Sequence, residues 1–361
     1  MKRLTNILIL LFLCIAAAAQ NDGPYIIYGD DGTRVVTVDA DGGIHDELCS
    51  GVAPGSVFTV TSHDGRYSFD VTLHKSVRPE WKRAAASRTL VISDPHGNLD
   101  CFISVLQGNG VIDGDLHWSF GDGSLLILGD ISDRGNDATQ IYWLVYQLEA
   151  EAEKAGGRLS FLYGNHEGMV LAGDLRYTKA KYKELADTLG TTFPELMGPS
   201  TELGRWLATR NTIQIEGDNL FVHAGLSGDF LDKHLSIPEV NEMVSKGLFY
   251  TSAQRKEESD LMYFLYRTYG PIWYRGLVYS KKKYVPASPA TLDAILAEYG
   301  VSRIFVGHTI FPNVKSFYRK KVVAVNVDNQ RNHDKNLSRG VLLEDGSAFQ
   351  IGDYGVIKKL K

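Results

Sequence analysis

Five short apolar runs in this chain each stop at a cluster of potential metal ligands, and that pattern constrains the fold more than any other feature of the sequence. Residues 90–92 lead into Ser93, Asp94, Pro95, His96, Gly97 and Asn98, and residues 125–128 into Gly129, Asp130, Ile131, Ser132, Asp133, Arg134 and Gly135. Residues 159–163 run into Gly164, Asn165, His166 and Glu167, residues 220–222 into His223, Ala224 and Gly225, and residues 304–306 into Gly307, His308 and Thr309. Apolar runs of this length bounded by turn residues predict buried strands. In open α/β sheets ligands collect at the carboxyl ends of strands, so five stretches far apart in sequence can share one pocket.

The remainder of the chain sets limits on that pocket's partners. With 361 residues, 44% of them hydrophobic, it can bury one large core or two smaller ones. Its formal charge of -5 offers no basic field, which argues against a nucleic-acid partner. Residues 1–19 read as a cleavable secretory signal: Lys2 and Arg3, an apolar stretch over 7–19, and small residues at 16–19. The expectation is cleavage near Ala19 and an exported protein, periplasmic or extracellular, with no stable membrane insertion. A lipidated Cys14 is the competing reading, disfavoured by the bulky Leu13 before it. Cys49 and Cys101 then remain, and an oxidising compartment would let them pair. Because Cys101 lies in an apolar stretch, two unpaired thiols is the preferred reading.

Three regions follow from the patterning. After the signal, residues 20–86 form a β-rich segment with strand-like runs at 25–28, 34–38, 57–61 and 67–73, punctuated by Asp-Gly turns and closed by a linker at 82–88. Residues 87–361 carry the strand, ligand loop and helix pattern. Helices are expected at 137–155 and 291–299, and a helical cap over the site at 168–210. Runs at 314–317, 322–327, 340–343 and 348–351 place antiparallel β structure at the end.

Each ligand motif alone has an ordinary explanation, such as a helix cap, a surface ion pair or a structural histidine. Those explanations fail jointly, because all five motifs fall at strand ends and none contains cysteine. Carboxylate, amide and imidazole donors suit manganese, iron or zinc, and the missing thiolates argue against a structural zinc site. Two cations about 3.5 Å apart, sharing one aspartate, can clamp both water and phosphate oxygens during an in-line displacement.

The series SDPHGN, GDISDRG, GNHE, HAG and GHT resembles the calcineurin-like metallophosphoesterase superfamily, within it the phosphoprotein-phosphatase branch. Residues 173–177 and 270–276 look like those of bacterial Shewanella-like phosphatases, and the resemblance spans roughly residues 89–330. It implies an α/β fold, a two-sheet sandwich flanked by helices, with the N-terminal β segment added. It implies two divalent ions, manganese foremost with iron or zinc as alternatives. One would be held by Asp94, His96 and Asp130, and the other by Asp130 as bridge with Asn165, His223 and His308. His166 corresponds to the general acid, oriented by Asp133, and Arg134 to a phosphate-binding arginine, with Arg275 as a second clamp. The implied reaction is hydrolysis of a small-molecule or protein phosphomonoester by a metal-bridging hydroxide.

Three departures from the pattern stand out. Ser93 replaces a glycine, Pro95 is expected to hold Asp94 extended, and Tyr163 replaces an arginine found in the eukaryotic enzymes, leaving phosphoprotein specificity open. A nucleotide pyrophosphohydrolase or phosphodiesterase is the rival enzyme. Many diesterases of the superfamily carry G-H-x-H in the last motif, and Ile310 in place of the second histidine favours the monoesterase. A non-catalytic binding protein on the same fold is the further alternative, weakened by the presence of all six ligands.

Overall fold

In the computed structural model, which describes residues 20–279 and 281–360, the ligand-bearing runs are strands of two six-stranded sheets. The signal expected at residues 1–19 lies outside the described residues. Two small antiparallel sheets come first. One contains β1 (Asp22–Gly29), β2 (Gly32–Val38) and β3 (Ile44–Cys49), and the other β4 (Val57–Thr61) and β5 (Ser68–Thr72). Then follow β6 (Lys82–Arg83), β7 (Arg88–Ile92), β8 (Ser124–Ile127), β9 (Arg158–Phe161), β10 (Ile213–Glu216) and β11 (Asn219–Val222). The last are β12 (Arg303–Val306), β13 (Lys315–Phe317), β14 (Val322–Ala324), β15 (Gly340–Glu344), β16 (Ser347–Gly352) and β17 (Gly355–Lys359). One large sheet has the order β13-β14-β12-β11-β10-β6, the other β17-β16-β15-β7-β8-β9.

Each large sheet contains a block of parallel strands. β7, β8 and β9 align Ile92, Ile127 and Phe161 in register, and β11 and β12 align Val222 with Val306. The residues after each strand therefore emerge side by side. Both faces of these strands are covered. Val91 and Leu126 of one sheet join Phe221, Phe305 and Val323 of the other in one buried cluster, where the Phe221 and Phe305 rings stack at 5.1 Å. Leu90, Ile92, Leu125 and Ile127 point the other way, into the cluster that includes the helix Ala138–Lys154. Strands buried on both faces need apolar residues throughout, which is why the sequence shows continuous runs. The architecture is the expected α/β sandwich of two sheets flanked by helices.

The N-terminal strands share the larger cluster with the rest of the chain: Tyr25, Ile26, Val36, Val60, Phe69 and Val71 all belong to it. Trp143, on the helix Ala138–Lys154, donates its indole N–H to the Pro24 carbonyl at 2.9 Å, and the His74 N–H donates to the Tyr146 hydroxyl at 2.8 Å. Residues 82–88, read above as a linker, include a strand. β6 pairs in parallel with β10, a contact between distant residues that Lys82 and Arg83 do not announce locally.

The cap reading of 168–210 also needs correction. The helices Ala180–Thr188, Phe193–Leu196 and Glu202–Leu207 bury Tyr182, Leu185, Phe193, Leu196, Trp206 and Leu207 in the core, and only the start of the segment reaches the ligand loops. Cys49 is half-buried, Cys101 is buried, and both are free thiols. Among the described residues no helix is long and apolar enough to cross a membrane.

Trp143 is 1% exposed and joins the N-terminal strands to the helix. Trp143→Ala is expected to destabilise the protein by about 3–5 kcal/mol, from lost burial and the cavity left behind. A urea unfolding midpoint unchanged from wild type would contradict that packing role.

Candidate metal centre

The sequence places every candidate ligand just past a parallel strand, and the fold brings them together. Asp94 and His96 follow β7, Asp130 to Arg134 follow β8, Asn165 and His166 open the helix Asn165–Val170 after β9, His223 follows β11, and His308 follows β12. The backbone there is unusual. Asp94, His96, Asp130, Asp133, Arg134 and His308 all lie in the left-handed region, with φ of 54°, 46°, 60°, 72°, 67° and 57°. For non-glycine residues such conformations cost on the order of 1–3 kcal/mol each, and they persist where surrounding bonds fix them. Pro95 thus does not hold Asp94 extended. Tertiary hydrogen bonds override its local preference: the His308 N–H donates to Asp94 Oδ2 at 3.1 Å, and Asn329 Nδ2 donates to the carbonyls of Ser93 and Asp94 at 3.1 and 3.2 Å. Ser93 contributes too, since its hydroxyl hydrogen-bonds Asp94 Oδ2 in space that a Cβ at Gly307 would fill.

Two groups of donor atoms result. In the first, His96 Nε2 is 3.9 Å from both Asp94 Oδ1 and Asp130 Oδ2. In the second, His223 Nε2 is 3.0 Å from Asn165 Oδ1, 3.2 Å from Asp130 Oδ2 and 3.2 Å from His308 Nδ1. Asp130 belongs to both groups. The imidazole tautomers follow from their other nitrogens. His223 Nδ1 lies 2.5 Å from the Leu128 carbonyl and His96 Nδ1 lies 2.9 Å from the Ser132 carbonyl, so both Nδ1 atoms carry protons. A carbonyl can only accept, and a neutral ring then turns the lone pair of Nε2 towards the carboxylates. With His223 neutral, lone pairs on Nε2, Asn165 Oδ1 and Asp130 Oδ2 would stand face to face in the second group, an arrangement that a proton or a metal cation must relieve. The set fits divalent ions, with oxygen and imidazole donors, a shared carboxylate and backbone acceptors orienting the rings.

Protonation in the apo protein shows the same need. Burial, then the nearby Asp130, pushes Asp94 up to about 7. Burial opposes ionisation of Asp130 as well, but His223 and His166 hold its pKa well below the usual range. His223 is raised to about 9, because Asp130 and Asp94 outweigh its desolvation, whereas burial takes His96 down to about 4. A proton on His223 thus stands in for metal charge at the second group, so binding a metal there must release it.

A separate dyad flanks the ligands. His166 Nδ1 is 2.6 Å from Asp133 Oδ2, whose other oxygen accepts from Thr178 Oγ1 at 2.6 Å. Burial disfavours the His166 cation, yet Asp130 and Asp133 raise its pKa overall. Arg134 Nη2 lies 3.3 Å from His166 Nε2, and Arg275 is braced by the His308 carbonyl at 3.0 Å and Thr309 Oγ1 at 2.9 Å. Both arginines line a cavity of about 250 Å³ together with Asp94, His96, Asp130, His166 and His308. His166 is itself near enough to His96 and Asp130 to complete a three-donor group. Its engagement with Asp133 through one nitrogen and Arg134 at the other sets it apart from the other imidazoles. Tyr163, flagged above as a departure, is buried with its hydroxyl on the Leu207 carbonyl, away from the cavity.

The sequence reading gave no role to Glu167, Thr178 or Asn329. Glu167 is the one with a visible signal, a carboxylate placed within an otherwise ligand-rich turn directly after a buried strand.

Residues 87–312 match the family of calcineurin-like phosphoesterases. Shewanella-like protein phosphatase 2 of Arabidopsis thaliana is 26% identical over 272 residues, covering 62% of this chain and 66% of that protein. An uncharacterized protein of Schizosaccharomyces pombe is 30% identical over 227 residues, covering 60% of this chain and 65% of its own. The chain spans a little under two thirds of the length of these curated relatives. Among solved structures, the cold-active protein-tyrosine phosphatase of a psychrophile Shewanella sp. is similar with a TM-score of 0.84 and 29% identity, over 95% of this chain and 100% of that one.

Gly164 tests the closeness of the two ligand groups, because a Cβ there would lie 2.6 Å from the Asp130 nitrogen and closer still to its carboxylate. Gly164→Ala is expected to lower bound metal sharply while far-UV circular dichroism stays that of the wild type. Full metal content in the purified variant would show that Asp130 need not sit where the fold puts it.

Proposed function

The chain belongs to the calcineurin-like phosphoesterase family, and we propose that it is an exported metal-dependent phosphatase that hydrolyses phosphate monoesters at a pair of divalent ions. The observation that carries this reading is the convergence of five strand-end loops on two donor groups joined by Asp130, with the His166–Asp133 dyad and two guanidiniums around one cavity. Asp94, His96 and Asp130 would hold one ion, and Asp130, Asn165, His223 and His308 the other. Manganese fits these donors, as do iron and zinc. When bound, such ions supply an activated water and Lewis-acid polarisation of the phosphoryl oxygens.

The side chains account for the remaining steps. Arg134 and Arg275 present planar forks that bind phosphate oxygens and hold the group in line for displacement. His166, its Nδ1 fixed by Asp133, presents Nε2 to the cavity and gives its proton to the departing oxygen. Asp133 keeps the ring in the competent tautomer and stabilises its cation, and Thr178 fixes Asp133 in turn.

Monoester preference is supported by charge and by Ile310. A monoester dianion offers three non-ester oxygens to the metals and both arginines, whereas a diester has two and must seat a second substituent. Ile310 lines the cavity, 57% exposed, where a ligating imidazole would serve a diesterase. The similar Shewanella enzyme is a protein-tyrosine phosphatase, which supports a protein phosphomonoester as one substrate class. Export rests on the basic start and apolar stretch within residues 1–19.

His166→Asn is expected to retain metal and lose about 10²–10⁴-fold in kcat, the usual worth of a positioned general acid. In the wild type, kcat/KM for p-nitrophenyl phosphate should exceed that for bis-p-nitrophenyl phosphate by more than about tenfold, and chelation should abolish both activities. Equal rates on the two esters would transfer the assignment to the phosphodiesterase reading.

A further inference from the structure

A second cavity of about 290 Å³ shares the Asn165 side chain with the metal centre. It lies among the helices Asn165–Val170, Ser252–Glu258 and Asp260–Leu265, and takes Asp174, Arg176 and Trp273 from the stretches 173–177 and 270–276 singled out in the sequence. Its charge is unbalanced. Arg176, Arg255 and Arg267 line it, against Asp174 as the one carboxylate among the described lining residues. Asp174 is already engaged, accepting from Arg176 Nε and Nη2 at 2.8 and 2.7 Å. Arg255 is 6% exposed and has only carbonyl partners, those of Gly247, Gly168 and Leu248 at 2.9, 3.1 and 3.0 Å, with its guanidinium 3.5 Å from the Tyr266 ring centroid. Arg267 is exposed, stands 5.0 Å from the centroid of Tyr263, and has no acidic partner among the described residues. Two positive charges are thus left without an acidic partner in a cavity that adjoins Asn165 of the donor groups, in a chain whose formal charge is -5.

Burying the Arg255 cation without a counter-ion is costly, and the exposed Arg267 on the same cavity lies free to meet an anionic group. The remaining walls state what else that partner carries. Tyr263, Tyr266, Trp273 and Met169 give the cavity an apolar lining suited to a short carbon stem. We propose that this cavity is a substrate subsite for a second anionic group, a carboxylate carried on the leaving alcohol, held by Arg267 with the field of Arg255 behind it. The inference rests on the phosphatase reading above. Two sources supply that chemistry: an acidic residue flanking a phosphorylated residue in a protein, or the carboxylate of a small phosphorylated acid. Guanidinium and carboxylate form charge-assisted, often bidentate hydrogen bonds, so an isosteric amide is a poor substitute.

The test compares matched substrates on the metal-loaded full-length protein. Phosphotyrosine peptides carrying glutamate or glutamine at each flanking position form one arm, and free phosphotyrosine against its carboxamide forms the other. The acid should exceed the amide in kcat/KM by about tenfold or more in at least one arm. Preference in the peptide arm assigns the carboxylate to a protein substrate, and preference in the small-molecule arm alone assigns it to a small acid. In Arg267→Gln that ratio should fall to near one, a readout insensitive to any general loss of rate. Absence of acid preference in both arms, or a preference that survives in Arg267→Gln, overturns the subsite. Turnover of p-nitrophenyl phosphate is scored separately. Its absence in the wild type would sink the phosphatase reading, while its presence without acid preference sinks only this inference.

Discussion

The carboxylate of Glu167 holds the metal-site loops to one another. It is wholly buried, and Oε2 accepts from the backbone N–H groups of Asp130 and Gly164, both at 2.9 Å. Its Oε1 accepts from the Ser132 N–H at 2.9 Å and from the Tyr142 hydroxyl at 2.8 Å. One side chain therefore joins the loop after β8, the turn after β9 and the helix Ala138–Lys154. An isolated buried carboxylate is unfavourable, and burial followed by the proximity of Asp130 raises its pKa. Four donors offset that cost and in return fix the left-handed backbone at Asp130. Asp130 passes the constraint on, since its Oδ1 accepts the His166 N–H at 2.9 Å. Asp130, the carboxylate common to both donor groups, and His166 are thus registered by the same network.

That network leaves the site short of positive charge. Asp94, Asp130 and Glu167 are buried near one another, and the imidazoles facing them are turned by backbone carbonyls to offer lone pairs. Protons at His223 and on the Asp94 side relieve the mismatch in the apo protein. Divalent ions do so without consuming the donors, so metal affinity and the integrity of the strained loops are linked quantities. The left-handed residues can be tolerated because a large parallel core with both faces covered supports them from below.

What was legible in the sequence follows from this division. Strands buried on both faces advertise themselves as apolar runs, and ligands at their ends are polar residues where packing gives no reason for them. The central strands and the ligand cluster were therefore visible. β3 was not, because His45, Asp46 and Glu47 are exposed on a small sheet and show no alternation. Nor was β6, whose two residues become a strand only through pairing with β10. The conformation of Asp94 was misjudged for a related reason. The rule for a residue before proline is local, and the bonds from His308 and Asn329 come from more than two hundred residues away. Glu167 shows a further limit, since its motif was quoted while its function lay in partners that no spacing reveals.

The N-terminal strands bear on the chemistry through a short strut, residues 174–178. Within it Thr178 bonds Asp133, the Tyr177 carbonyl accepts the Arg134 N–H at 3.0 Å, and the Tyr177 ring stands 5.4 Å from His166. Arg176 and Asp174, two residues apart on the same strut, line the second cavity. The strut's position is set by the helix Ala180–Thr188 behind it. Tyr182 of that helix donates to the Asn136 carbonyl and accepts the Ala138 N–H, while Lys181 pairs with Asp22 of β1 at 3.4 Å. Gln140 and Tyr25 bind the same Asp22 carboxylate from the other side. A chain of bonds therefore runs from β1 through one helix to the aspartate that orients His166. The β segment at the start of the chain, which contributes no residue to the two donor groups, is in this way part of the support that holds His166 at the cavity.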